Sequence, residues 1–176
     1  MKTVKLNGKG VYLPGNFKGR VKFKPVQYKE EGFKGRSVIW EFELLESNLG
    51  AEHPVGCTRS QVVNLDKSPY AHADNTQITM ALMGIDPKTA PSSVANPALY
   101  EEVTDTFCEM LEAARNSAAG VESLTDGLEA ILETQTYFTK PTPQAPNGEA
   151  RARYVWHPTP EAKAERDAEV AGKQAA

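Results

Sequence analysis

Residues 37–46, SVIWEFELLE, constrain this chain more than any other stretch. Val38, Trp40, Phe42 and Leu44 stand two apart, a spacing that puts them on one side of an extended strand and scatters them around a helix. A strand with four large apolar groups on one face must be covered, so the chain has to build a sheet with a core beneath it. At 176 residues it has the length for one such core without help from metals or disulfides.

The flanking sequence extends the same logic. Arg20-Val21-Lys22-Phe23-Lys24 alternates basic with apolar residues, which reads as a half-buried strand with a cationic outer face. Pro14-Gly15-Asn16 before it is turn chemistry, and Pro25 after it cannot donate a ladder hydrogen bond, so an edge position or a bulge is expected there. Val26 and Tyr28 resume the pattern, and residues 29–36 form a polar, glycine-bearing connection into the second strand. Residues 58–65, TRSQVVNL, are β-branched enough for a third strand.

Helical periodicity then takes over. Ile78, Ala81, Leu82 and Ile85 fit a short helix over residues 75–85, with Asp74 and Asn75 as capping residues. Asn96-Pro97 pairs a cap with a proline at the first helical position, and Leu99, Val103, Phe107, Met110, Leu111 and Ala114 trace an apolar stripe over 97–116. Residues 128–140 return to strand composition, 140–148 are a proline-rich loop, and 151–156 alternate once more as a fifth strand. The expected architecture is mainly β with inserted helices, a five-stranded OB-like barrel over residues 1–160 with two helices between strands three and four. Residues 161–176 are alanine-rich and charged without an apolar stripe, and read as a flexible or frayed helical tail.

Charge is unevenly divided. Residues 1–40 hold ten Lys or Arg against Glu30 and Glu31, a net +8 that leaves −11 for the rest of a chain totalling −3. A basic end attracts an anionic partner whatever the total charge is. Seven of the fourteen aromatics lie in the first forty-two residues, interleaved with those cations. A single-stranded polynucleotide exposes phosphates and unstacked bases together, so its binder needs both positive groups and flat rings. In an OB barrel the nucleic-acid surface uses strands two and three and the loops joining strands one to two and four to five. On that layout the binding residues are Arg20, Lys22, Lys24, Tyr28, Phe33, Lys34 and Arg36 on the first side, with Tyr137, Lys140, Arg151 and Arg153 on the second. Phe23, Trp40, Phe42, Phe138 and Trp156 fall on faces that a small barrel fills with side chains, and are read as core.

Several chemistries lack their residues. His53, His72 and His157 are scattered outside any HExxH or CxxC pattern, so no metal site is expected. The glycines form neither a GxGxxG nor a Walker loop, and no nucleophile, base and orienting group stand together, so neither a cofactor nor an enzyme is expected. No apolar run reaches the roughly 18 residues of a membrane span, and polar residues follow Lys2 and Lys5 where a signal peptide needs an apolar stretch. Cys57 and Cys108 read as reduced side chains, and the expected location is the cytoplasm.

The chain also resembles small phage proteins, of which some bind single-stranded DNA and others have no known function. The resemblance lies in residues 12–17 (YLPGNF), 42–47 (FELLES), 53–56 (HPVG), 81–84 (ALMG), Phe138-Thr139 and Trp156-His157-Pro158, in order across residues 10–158. It implies an OB-like fold, single-stranded DNA as partner, a role in phage DNA replication or recombination within an infected bacterial host, and company with the proteins of those processes. A homo-oligomer is compatible with it. Where such proteins end in an acidic recruiting tail, residues 161–176 mix Lys163, Arg166 and Lys173 with their acids. The alternative is a non-catalytic structural or interaction protein of a phage particle or replication complex.

Overall fold

A computed structural model describes residues 13–32, 35–67 and 69–175. Among the described residues six strands form one sheet, with every ladder antiparallel: β1 Lys18–Phe23, β2 Gln27–Gly32, β3 Gly35–Leu44, β4 Thr58–Asn64, β5 Glu129–Phe138 and β6 Ala150–His157. Three α-helices accompany them: α1 Ala71–Leu82 and α2 Pro97–Arg115 between β4 and β5, and α3 Pro160–Ala175 at the end. The sheet is open rather than a closed barrel, and it has six strands where the sequence predicts five.

The extra strand comes from Pro25. β1 pairs with the last residues of β3, Val21 opposite Leu44 and Phe23 opposite Phe42, and β2 pairs with the first, Tyr28 opposite Val38. Pro25 interrupts the ladder between them, so one bent segment becomes two strands on the same edge of β3. The polar groups at the bend are not left open. The Thr125 side chain is fully buried, accepts from Val26 N at 2.8 Å and donates to Lys24 O at 3.1 Å. On its other side β1 pairs with β5, while Ser37 to Glu43 of β3 pair with β4.

The period-two face of β3 becomes the centre of the core. Val38, Trp40, Phe42 and Leu44 are completely buried with Val21, Phe23, Leu132 and Trp156. Phe23 meets the rings of Trp40 and Phe42 edge-to-face and that of Trp156 at a tilt, at 5.2–5.9 Å between centroids, and aromatic pairs of this kind contribute roughly 0.5–1.5 kcal/mol each beyond area burial. Trp40 also stacks on Phe107 of α2 and donates its indole N–H to Asn75 Oδ1 of α1 at 2.9 Å. That bond overturns Asn75 as a cap: α1 starts at Ala71, and Asn75 sits buried inside it as the partner of a core tryptophan. α2 begins where Asn96-Pro97 places it, with Asn96 Oδ1 accepting from Leu99 N at 3.2 Å.

The terminal segment is a helix with no buried residue of its own, as the missing apolar stripe requires. Polar contacts hold α3: Arg166 makes a two-pronged bond to Glu102 of α2 at 2.6 and 2.9 Å, and Glu161 meets Arg20. Gly84, at φ +80°, lets Ala162 approach closely, since a Cβ there would stand 2.2 Å from Ala162 O.

Near the start of β4, Arg59 is buried and donates its Nε–H to Nδ1 of His53 in the preceding loop at 3.0 Å. Burial and the Arg59 charge hold the His53 pKa below its usual 6.5. The unfolded chain therefore binds this proton more readily than the native one, and stability falls as pH drops below about 6.5. Urea midpoints at pH 7.5 and 5.5 should show this loss in the parent and a smaller one in His53→Gln, which keeps an acceptor for Arg59 and cannot titrate.

Candidate nucleic-acid interface

The sheet curls until its two flanks face each other. Trp156 of β6 donates its indole N–H to Gln61 Oε1 of β4 at 2.8 Å, yet no described ladder joins those strands. Where the gap widens it forms a cleft of about 1220 Å³. One wall is residues 151–156 of β6 with Gln135 and Tyr137 of β5, and the other is Gln61 and Val62 with Tyr70, Asp74 and Gln77 at the start of α1. Lys88 also lines it. Small-molecule pockets usually measure roughly 300–1,000 Å³, so an open cleft of this size suits an extended ligand better.

Its chemistry comes from the β5–β6 ladder. Tyr137 stands opposite Arg151, and the Arg153 guanidinium lies 5.5 Å from the Tyr137 ring centroid. Alternation along the strands puts all three on one face. Arg151 also meets Glu149 at 3.0 Å, a solvated pair of the kind that contributes little. Tyr70, immediately before α1, is 72% exposed. Burial raises the pKa of Asp74, an acidic side chain among the Lys88, Arg151 and Arg153 cations of the cleft lining.

Of the predicted residues that are described, only Tyr137, Arg151 and Arg153 line this cleft. Lys140 is exposed in the loop between β5 and β6. Arg20 is engaged by Glu129 and Glu161, which raise its pKa further, and Lys24 by Glu41 at 3.7 Å. Lys22 stands in register with Glu43 on one side and Glu129 on the other. The cationic face expected of β1 is therefore flanked by carboxylates. Arg36 grips Asp66 through its Nε, Nη2 and backbone N–H groups. The Tyr28 ring is covered by the Arg115 guanidinium at 4.7 Å and packs against the core. Phe33 and Lys34 lie outside the described residues.

Phe138 corrects the expected core. It is 66% exposed, because the last four residues of β5 are exposed whichever way they point. Tyr70, Gln61, Gln77 and Lys88 escaped the sequence reading, since only the curl of the sheet brings α1 opposite β6.

No protein-family model, curated protein or solved structure matches this chain. Among the described residues no helix is long and apolar enough to cross a membrane, and no three His, Cys, Asp or Glu side chains group to hold a metal ion.

Proposed function

We propose that this chain binds single-stranded DNA without sequence preference, along the cleft between β6 and the start of α1. The observation that carries the reading is the Tyr137, Arg151 and Arg153 face, where a ring and two guanidinium groups stand together at the edge of an open channel. Rings there stack on bases of any sequence, and guanidinium groups meet phosphates. Gln61, Gln77 and Gln135 add amides able to bond base edges or sugar. The curled sheet is on this reading a partly open barrel of the OB type. The resemblance to phage proteins supplies the setting, DNA replication or recombination in the cytoplasm of an infected cell.

Titrating labelled oligo-dT at 50 and 200 mM salt tests the reading. Binding should be tight at low salt and weaken several-fold or more at the higher concentration as counterions are no longer released so favourably. No binding at low salt, or affinity indifferent to salt, overturns it.

A further inference from the structure

Resting on the reading above, we propose that the β5–β6 hairpin makes the protein prefer a single-strand/duplex junction to plain single-stranded DNA, with Phe138 stacking on the terminal base pair. Gly15 packs closely against Thr136, and residues 135–138 at the end of β5 are exposed on both faces. Tyr137 and Phe138 are consecutive in a strand and so point to opposite sides. Tyr137 belongs to the cationic face with Arg151 and Arg153, whereas Phe138 stands opposite Ala150 on the other.

The hairpin is built to hold that ring out. Thr139 and Glu149 close it through Thr139 N to Glu149 O at 2.9 Å and Glu149 N to Thr139 Oγ1 at 2.8 Å. Bonds between Thr142 and Ala145 order the tip, and Gly148, at φ +75°, turns the chain back where any Cβ would collide with Thr139 O. An aromatic side chain left largely in water on one face of the hairpin, with Tyr137, Arg151 and Arg153 on the opposite face, matches a flat, hydrophobic surface that carries phosphate at its rim. The end of a duplex is such a surface, and the strand leaving it can pass to the Tyr137 side.

Fluorescence anisotropy with two probes decides the matter: dT alone, and a blunt-ended hairpin duplex bearing a single-stranded dT tail of the same length. The parent should bind the tailed duplex about tenfold more tightly. Phe138→Ala should abolish that preference and leave affinity for dT within about twofold. Unchanged melting confirms the fold, since the ring is exposed. Equal binding of the two probes by the parent overturns the proposal, as does a preference that survives Phe138→Ala. Failure of both probes to bind overturns the single-strand reading itself. Self-association lost in Phe138→Ala, with no junction preference in the parent, assigns the ring to a protein contact instead.

Discussion

Trp40→Ala is expected to destabilise the protein by roughly 3–5 kcal/mol, the range for removing a buried aromatic side chain and leaving a cavity. The side chain is fully buried between Phe23 and Phe107, so the space it vacates is bounded by the sheet on one side and α2 on the other. Its loss also strips Asn75 of the indole N–H it accepts, leaving a buried amide oxygen unmet. For a chain of this length the melting temperature should fall by about 6–20 °C. Trp40→Phe restores ring volume and not the N–H, so it should fall between the parent and the alanine variant. A urea midpoint for Trp40→Ala equal to the parent's would mean that β3 is not the strand joining both helices to the sheet.

The same residue shows how much of the fold could be read from the sequence. Period two along residues 37–46 identifies a buried strand face because alternation is a local property of extended backbone, and the stripe and cap of α2 are equally local. Pro25 announces a bend without saying that its two sides become separate strands on one edge of β3. That depends on Thr125, about a hundred residues away, satisfying the groups at the bend. Asn75 looks like a cap because its side chain suits one, and only tertiary contact reveals that an indole claims it.

The candidate site divides in the same way. Arg151, Arg153 and Tyr137 are legible because they lie on paired neighbouring strands, where register alone sets their distance. The cations of residues 18–36 are counted correctly by net charge, but charge counts do not see cross-strand neighbours. Glu41, Glu43, Glu129 and Asp66 come from elsewhere in the chain to meet them. Phe138 has the composition of core and the position of a tip, and composition alone cannot tell these apart.

Arg151→Glu combined with Arg153→Glu should weaken binding of oligo-dT about 100-fold or more at low salt, because two cations facing phosphate become two anions. The salt dependence should change with it. Each phosphate contact on a single strand adds about 0.7 to the slope of log K against log salt, so losing two lowers the slope by about 1.4. Both side chains are exposed, and stability should move by no more than about 1 kcal/mol, including the contact of Arg153 with Tyr137. Lys22→Glu with Arg36→Glu makes the same change in charge on groups already flanked or gripped by carboxylates, outside the cleft. An equal loss in both variants would mean that net charge alone governs binding. A loss confined to Lys22 and Arg36 would move the strand to the opposite part of the sheet, and a loss confined to Arg151 and Arg153 is what the cleft requires.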